Sequence, residues 1–534
     1  MPYPLTPIRR WAGGALCFAC SSLWAATPLK DDFHNLISRQ DAAITTNAAF
    51  LPGLTINKVS YLEASVEKLN GGFVNYYQSD NSFQSGLQTE SYYRLSPRLM
   101  LHGSVGYSSF KGKNMEGSAF INPYVMPFDI VESDDAHRGS KRLDTYRLQG
   151  ALGYQISSRF SAGADLTYTA GNYAKHKDLR HKNTLLDMEL TAGGNWKAAP
   201  WLTAGMSYYY HRRSEDLVFQ INGAVEGLHY SLISFGNFFG RTEAFGENGY
   251  TSDGLPLFTQ THGGALQLQL HPEHVSLKLF NEFHYHSSHG RFGTDASTSV
   301  TYTRHNGHEW GYQGRMVWDT GHRTHVAELS VEQNKLTNNE NSYRESTDAS
   351  GVTQIVYYGS NEVLKRTEWK AHAAYTLHVN PSETFSDWVI GAEADFQART
   401  NNATLYPYFR KQDLHGYRVG GHATRYLTRK SGVYGVGLLL SYGSGGGNVA
   451  EDGLYATPGN NQKAPDTRND LLHKEYEYLT NARATGGLSF HYERTIIPSL
   501  QGYADLSYHY TQAFHTDYAG DHLHHLSVRI GCRF

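Results

Sequence analysis

The chain has 534 residues, of which 40% are hydrophobic, and its mean hydropathy of -0.52 excludes a bundle of membrane-spanning helices. Charged residues make up only 18%, below the roughly 25% of ordinary soluble chains, whereas aromatic residues reach 13%. The formal net charge of -3 gives no reason to expect nucleic acid as a partner.

The first residues have the pattern of an export signal. Arg9 and Arg10 precede an apolar stretch, and Ala25-Ala26 then provides a small-residue cleavage site. We therefore predict a secretory signal peptide at residues 1–26, with Cys20 as an alternative site of lipidation, and a periplasmic N-terminal segment at residues 27–58. Cleavage leaves Cys532 as the only cysteine, so the mature chain cannot form an internal disulfide.

Residues 59–534 show a repeated period of two, which is typical of β-strands. Tyr146 and Leu148 share one parity, while the polar Arg147 lies on the other. The alternation resumes at residues 160–168, after a three-residue turn. The pair predicts a hairpin whose apolar side chains face lipid.

Short turn motifs join such segments along the whole chain. They lie at residues 96–98, 157–159, 198–200, 271–273, 320–322, 380–382, 429–431 and 497–499. Each of these eight turns joins two strands, and one further strand lies before the first turn and one after the last. We therefore predict about eighteen strands, within a range of sixteen to twenty.

Longer polar connections separate the hairpins. They lie at residues 111–141, 213–262, 336–364 and 443–473. Short periplasmic turns at one rim and long extracellular loops at the other are typical of outer-membrane barrels. The predicted fold is therefore all-β, a closed antiparallel transmembrane β-barrel over residues 59–534. A soluble β-sandwich or β-propeller, which also uses many short alternating strands, is the structural alternative.

The end of the chain has the most specific local pattern. Val528, Ile530 and Phe534 share an apolar parity, while Ser527 and Arg529 lie on the other. An alternating final strand that ends on Phe resembles the carboxy-terminal signal that barrel-assembly machinery recognises in outer-membrane proteins. We expect this strand to pair with the first strand, because an open edge would leave backbone groups unpaired in lipid.

Four short motifs are found in the loops and strands. They are Gly71-Gly72-Phe73, Pro123-Tyr124 followed by Asp129, the strand at Tyr146, and Asp178-Leu179-Arg180. Together they resemble an uncharacterised family of Gram-negative outer-membrane β-barrels with a domain of unknown function. The resemblance covers nearly the whole mature chain. It implies that the protein is a companion of TonB-linked uptake systems, but it supplies no established activity. A plug domain does not fit before the first strand near Ser60, which disfavours a TonB-gated transporter.

The polar parity places charged side chains of both signs in the lumen, among them Glu282, Glu309 and Glu332. A hydrated interior of mutually paired side chains accounts for them. A pore with mild cation preference is the alternative, because rings of carboxylates set ion selectivity.

Histidine is abundant, at 28 residues. His284, His286 and His289 end one strand, and His305 and His308 begin the next, so we expect all five to meet near one outer rim. Gathered imidazoles can bind a transition metal. Because no fixed ligand spacing and no thiolate accompany them, a polar rim without metal is the simpler interpretation.

His286 and Ser288 have the two-residue spacing of the catalytic pair in outer-membrane phospholipases. Their parity matches that of Lys278 and Glu282, so they face the lumen rather than the lipid. We therefore predict no catalytic residues, no enzymatic activity and no cofactor.

One long loop is rich in aromatic residues and is the best candidate for a ligand site or a constriction. Its aromatic residues include Phe219, Tyr230, Phe235, Phe238, Phe239 and Phe245. They are too apolar to remain in water, so we expect the loop to fold inward as a constriction or lid, or to pack on the loop around Tyr124 and Phe128. Packing between the loops is the simpler interpretation, and a site for an aromatic solute is the alternative.

These features predict an integral barrel of the cell outer membrane that serves passage or capture of a small solute or ion. Its expected partners are outer-membrane lipid, the barrel-assembly machinery and a small solute or uptake-system component. One alternative is a non-channel accessory or surface-binding barrel that works with a TonB-linked uptake system. A lipid-modifying outer-membrane enzyme is a further alternative.

Overall fold

The computed structural model describes residues 37, 39–221, 229–246, 249–252, 254–347, 349, 351–381, 385–497 and 500–534. The predicted signal peptide at residues 1–26 lies outside these ranges. No helix within them is long and apolar enough to cross a membrane.

Strands dominate the described chain. In chain order they are β1 (Lys58–Asn70), β2 (Asn81–Ser96), β3 (Leu99–Met115), β4 (Asp129–Glu132), β5 (Gly139–Gln155), β6 (Phe160–Lys175), β7 (Arg180–Ala199), β8 (Leu202–Gln220), β9 (Tyr230–Ser234), β10 (Phe239–Ala244), β11 (Leu255–Leu270), β12 (Leu277–Gly293), β13 (Thr301–Asp319), β14 (Arg323–Thr347), β15 (Thr353–Val379), β16 (Trp388–Leu405), β17 (Tyr408–Arg429), β18 (Gly432–Leu454), β19 (Asp466–Thr467), β20 (Arg483–Ile497), β21 (Leu500–Ala513) and β22 (His522–Arg533). Eighteen of them form one large sheet, whereas β4, β9, β10 and β19 form a small one. The helical elements are the α-helix α1 (Asn469–Thr480) and 3-10 turns at Asp41–Ile44, Ala48–Gly53, Pro123–Val125 and Gly249–Thr251.

The large sheet closes on itself as a barrel. Its last strand, β22, pairs antiparallel with its first, β1, and places Val528 opposite Val66. Phe534 completes this seam, because its backbone N–H donates to the Ser60 carbonyl at 3.0 Å and its carbonyl accepts from the Ser60 N–H at 3.1 Å. The predicted pairing of the chain's last strand with its first is therefore confirmed, and it satisfies backbone groups that lipid cannot.

The barrel wall has an apolar outer face and a polar inner face, because side chains alternate along each strand. On β5 and β6, Leu148 and Leu166 are 50% and 45% exposed on the outside, whereas Asp165 is buried toward the lumen. Trp196 and Trp318 lie exposed near strand ends, where aromatic side chains girdle membrane barrels. The protein is a closed antiparallel transmembrane β-barrel of eighteen strands, as the alternation predicts.

The predicted short turns lie at one end of the barrel, here called the short-turn end, although residue 382 of one turn and residues 498–499 of the last are outside the described ranges. Three of the four predicted long connections lie at the opposite, long-loop end, between the strands that border residues 116–138, 221–254 and 455–482. The prediction of a loop at 336–364 is wrong, because β14 and β15 continue through it as a hairpin. Its β-branched and aromatic residues favour strand even where they are exposed.

Residues 39–57 lie inside the lumen at the short-turn end, and we call them the plug. The Phe50 ring packs edge-on against the Phe280 ring of the wall, with centroids 5.3 Å apart. Elsewhere the plug backbone touches the wall directly, since a Cβ at Gly163 would lie 2.4 Å from the carbonyl carbon of Ala48. Only glycine allows so close an approach.

This position differs from the periplasmic segment that the sequence predicts at residues 27–58. The buried side chains of the plug include Ala42, Ile44 and Leu51. They occur in runs too short to show a helical or strand period, so no pattern in the sequence indicated that this segment docks inside the barrel. The first strand begins at Lys58, close to its predicted start.

The loops at the long-loop end fold into the mouth of the barrel as a second closure, here called the lid. It comprises residues 116–138, the described residues of 221–254, and residues 466–480. Its small sheet has the strand order β19, β10, β9, β4. Its apolar side chains, including Phe235 and Tyr250, pack against inward-facing wall residues such as Phe292. The lumen is thus occupied from both ends.

Candidate functional site: a chamber between plug and lid

Between the plug and the lid lies a cavity of about 160 Å³, which we call the chamber. Inward-facing residues of β12 show its position. Phe280 contacts the plug, His286 lines the chamber, and Phe292 packs against the lid. At about 3.3 Å per residue, the plug and lid contacts on this strand are roughly 40 Å apart.

Polar and charged side chains form most of the chamber wall. They include Tyr209, His211, Arg213, Thr259, Thr261, His286, Ser288, His305, Glu309, Glu332, Asn334, Arg366, Glu368 and Lys370. The row that runs around the wall from His286 through Glu309 and Asn334 to Glu368 follows directly from the strand register. The chemistry of this lining suits charged or strongly hydrogen-bonding groups better than an apolar solute.

The lid reaches this chamber through one short segment, Tyr124 to Pro127. Arg366 of the wall holds the segment, since its guanidinium donates to the carbonyls of Tyr124 and Met126, each at 2.8 Å. The Tyr124 hydroxyl donates to Glu368. Pro123-Tyr124 is one of the short stretches on which the family resemblance rests, and in the structure Tyr124 closes the chamber on the side of the lid.

A compact group of ionisable side chains, His284, His286 and Glu309, lies beside the chamber. The His286 Nδ1 is 3.0 Å and the His284 Nε2 is 3.5 Å from Oε1 of Glu309. Gly311 lies opposite His284 and Gly263 lies opposite His286 on the neighbouring strands. A Cβ at these glycines would come within 2.4 Å and 2.1 Å of the rings, so the glycines make room for the imidazoles.

A second group of the same kind, Asp187, Glu189 and His211, lies on β7 and β8. Its carboxylate and imidazole atoms lie within 4.8 Å of one another, and the His211 Nε2 is 2.9 Å from Oδ1 of Asp187. The Tyr209 ring lies between the two groups and stacks on His286 with centroids 4.4 Å apart. Both groups are therefore parts of one chamber wall.

The five histidines expected at one rim do not meet. His284, His286 and His305 are buried or half-buried on the inner face, as the chamber and its hydrogen bonds show. His289 stacks on His262 of the neighbouring strand, and His308 bonds the exposed Tyr285 hydroxyl, both on the outer face. The prediction is wrong for His289 and His308, because their parity is opposite to that of the other three.

The position of Glu309 in the lumen was predicted, but its contact with the two histidines was not. That contact depends on the register between β12 and β13, which places Glu309 directly opposite His286. Alternation fixes only which face a residue occupies, so register has to come from the structure. Ser288 lines the chamber together with His286 and does not face lipid, as parity predicts.

Most of the aromatic residues predicted for the long loop lie in the interior of the lid or, like Phe219 on β8, pack against it. Phe219, Phe235 and Phe245 belong to one buried cluster, which also contains Phe128 of the other loop. Phe238 packs edge-on against the Tyr76 ring, with centroids 4.7 Å apart.

Two further residues of this predicted ligand site have different environments. The Phe239 ring lies 5.6 Å from the Arg410 guanidinium, and Tyr230 is exposed. Neither is among the side chains that line the chamber. The expected inward fold and inter-loop packing are thus observed, whereas a ligand role for these six aromatic residues stays a prediction.

One buried carboxyl group lies at the centre of the lid, outside the membrane-spanning strands. Asp129 accepts hydrogen bonds from the Tyr76 hydroxyl at 3.0 Å and the Ser118 hydroxyl at 2.5 Å. Burial raises the pKa of Asp129 to about 7, although these hydrogen bonds oppose the rise. The lid therefore holds a carboxyl group that changes charge near neutral pH.

The closed barrel with its apolar belt, plug and lid defines an integral membrane barrel of the outer-membrane class. The chain belongs to a family of unknown function (DUF6850), whose model matches residues 48–534. This confirms the expected membership of an uncharacterised barrel family. No curated protein matches the chain.

Several solved structures with a similar course of the chain are named as transporters or channels. The outer membrane transporter YddB from Escherichia coli is 9% identical with a TM-score of 0.40, and the match covers 90% of this chain and 81% of that one. The FrpB iron transporter from Neisseria meningitidis is 7% identical, with a TM-score of 0.40 and coverage of 92% and 84%. A mutant of the TodX monoaromatic hydrocarbon channel is 11% identical, with a TM-score of 0.30 and coverage of 92% and 94%.

Proposed function

We propose that the protein is a non-enzymatic barrel of the bacterial outer membrane that serves controlled passage or capture of a small solute or ion. The observation that carries the proposal is the chamber, a cavity of about 160 Å³ with ionisable walls that lies below the lid, in a lumen whose other end the plug occupies. The short-turn end faces the periplasm and the long-loop end faces the exterior. Such a cavity has room for a hydrated ion or a small polar molecule.

The hydrogen bonds that hold the plug are individually weak, which supports a closure that can open. Arg315 donates to the Gln40 carbonyl at 3.0 Å, and Asn47 donates to the Gln267 side chain at 3.1 Å. Hydrogen bonds of this kind contribute only about 0.5–3 kcal/mol each, because water can replace them. The plug precedes the first strand, so it can leave the lumen without breaking a strand pair.

A single substitution in the wall tests this proposal. In Gly163→Val the new side chain occupies the position of the Ala48 backbone, so we expect the plug to be displaced while β5, β6 and β7 stay paired. Single-channel recording in planar bilayers should show rare or no openings for the wild type and long-lived conductance for Gly163→Val. Heat-modifiable migration on gels checks that both barrels are folded.

The matched control is Gly150→Val on the neighbouring strand. Gly150 lies on the outer face, and a Cβ added there would meet no atom within 4 Å, so this change should leave conductance at the wild-type level. A folded Gly163→Val barrel that is as silent as Gly150→Val would contradict a gated passage.

The hairpin of β14 and β15 favours a second candidate function, that of an accessory barrel which binds material outside the cell or another uptake component. These strands have 25 and 27 residues, whereas crossing a membrane takes about 9–11. Tyr358, near the middle of the hairpin, is 71% exposed. Two results together would favour this candidate. Bilayer recordings would be silent for all variants, and shortening the hairpin would abolish binding of a partner.

A further inference from the structure

We infer that His284, His286 and Glu309 bind one divalent transition-metal cation of the zinc class, an inference that rests on the proposed function and names the ion that the chamber captures or passes. The three side chains come from two adjacent strands and supply two imidazole nitrogens and one carboxylate oxygen. These donors suit zinc and its neighbours rather than alkali or alkaline-earth ions, which prefer oxygen ligands.

The distances within the group fit one ion. The three ligand atoms lie within 4.8 Å of one another, and two of the separations are 3.0 Å and 3.5 Å. Zinc binds nitrogen and oxygen at about 2.0–2.2 Å, so ligand atoms around one tetrahedral ion are about 3.3–3.6 Å apart. Small side-chain rotations are enough to bring the group from its present geometry to a coordinating one.

One ring nitrogen of the group, Nε2 of His284, is not satisfied by the hydrogen bonds of the group. The side chain of His284 is 7% exposed, and its Nε2 has no hydrogen-bond partner among the described residues. At 3.5 Å, its separation from Glu309 exceeds the usual length of an N–H···O hydrogen bond. A buried ring nitrogen with only this long contact is poorly satisfied, and a bound cation would satisfy it better.

The wall also orients both rings. Gly311 and Gly263 lie directly opposite the two histidines, and their missing side chains give space to the imidazoles. Any larger residue at either position would push a ring away from Glu309. This packing holds the three ligands together before an ion arrives, which reduces the entropy lost on binding.

The number of ligands suits an ion that is taken up and released again. Three protein ligands leave at least one coordination position open, in contrast to the four of a closed structural zinc site. Passage through a lumen requires binding strong enough for entry and weak enough for exit.

The test uses cobalt(II) as the probe and the full-length barrel purified in detergent. Titration of the wild type should give a visible absorption band that saturates at about one equivalent, because cobalt(II) bound by imidazole and carboxylate absorbs more strongly than the hydrated ion. The double variant His284→Ala/His286→Ala should lose this band or bind at least tenfold more weakly. Glu309→Gln should weaken binding while keeping the shape of the side chain.

The matched control is His289→Ala/His308→Ala, which removes two histidines from the outer face of the same two strands. It should bind cobalt(II) like the wild type. A wild type without the band, or a band that survives His284→Ala/His286→Ala, would overturn the inference. The conductance of Gly163→Val is recorded in a separate experiment. If this variant conducts but the wild type does not bind cobalt(II), the ion site is refuted and the passage is not. If the wild type binds cobalt(II) but Gly163→Val does not conduct, the passage is refuted and the ion site is not.

Discussion

At the scale of single residues, inward histidines and cross-strand glycines occur as pairs. His284 and Gly311, His286 and Gly263, and His305 and Gly290 are directly opposite one another. The same arrangement recurs on other parts of the wall, at Gly391 with His422 and Gly487 with His509. In each pair a Cβ on the glycine would lie within 2.5 Å of the imidazole. These five pairs thus share one steric cause, since an imidazole ring that lies flat on the wall needs a neighbour without a side chain.

Asp129 predicts a pH dependence of the lid. Its pKa is raised to about 7 in the folded lid from an ordinary value of 3.8, so the folded form retains a proton that the open form loses between about pH 4 and pH 7. The free energy of lid opening therefore falls as pH rises through this window, by up to about 1.4 kcal/mol per pH unit. Below pH 4 both forms are protonated and the stabilisation is fully present.

Hydrogen exchange of the β4 amides, corrected for intrinsic rates, measures this effect. Wild-type protection should be greater at pH 5 than at pH 8. Asp129→Asn keeps a hydrogen-bonding side chain without a titrating proton, so its protection should be nearly the same at both values. Equal pH dependence in the wild type and in Asp129→Asn would show that another group is responsible.

At the scale of elements, the strands and short turns could be predicted because their periodicity is local. The polar and apolar parities of β5, β6 and β22 and the eight turns follow from residue order alone. The ends of β14 and β15 could not be predicted, since exposed polar residues in a hairpin resemble those of a loop. The plug and the contact of Glu309 with His286 also escaped prediction, because both depend on which distant strands become neighbours.

The seam between β1 and β22 gives an element-scale prediction. Ile530 is exposed on the outer face and lies opposite Ala64, so Ile530→Arg would place a charge in lipid at a cost of about 2–4 kcal/mol near the midplane. We expect little or no heat-modifiable barrel from this variant, and the same from a chain that lacks Arg533 and Phe534. Ser527 faces the lumen, so Ser527→Thr should assemble normally.

Assembly is measured by the fraction of heat-modifiable protein in isolated outer membranes. If Ile530→Arg reached the wild-type fraction, the seam would be less sensitive to lipid-facing charge than its register implies.

At the scale of the whole molecule, the barrel combines a wall of long strands with three attachments of different kinds. The plug and lid lie within the lumen, whereas the hairpin of β14 and β15 extends away from it. Contacts between the hairpin and the rest are few and lie near its middle, for example the bond from the Thr301 backbone to the Tyr357 hydroxyl at 2.7 Å. The hairpin is therefore separable from the closed lumen.

This separation leads to a further prediction. Replacing residues 344–356 by an Asn-Gly turn retains the pair of Tyr343 and Tyr357 and removes the outer part of the hairpin, together with the bond from the Ile355 backbone N–H to the Ser297 carbonyl at 2.8 Å. The shortened barrel should remain heat-modifiable and should match the wild type in conductance and cobalt binding. A large change in either property would place the hairpin within the passage rather than outside it.

The location of the plug also determines the order in which the molecule is completed. Its partners include Gln267 and Arg315, more than two hundred residues further along the chain, so its docking surface does not exist until the middle of the barrel is built. Contacts between such distant residues form late, because bringing the chain ends together is entropically costly. We therefore expect the wall to close before the plug docks, so that docking takes place only when the correct strands have become neighbours.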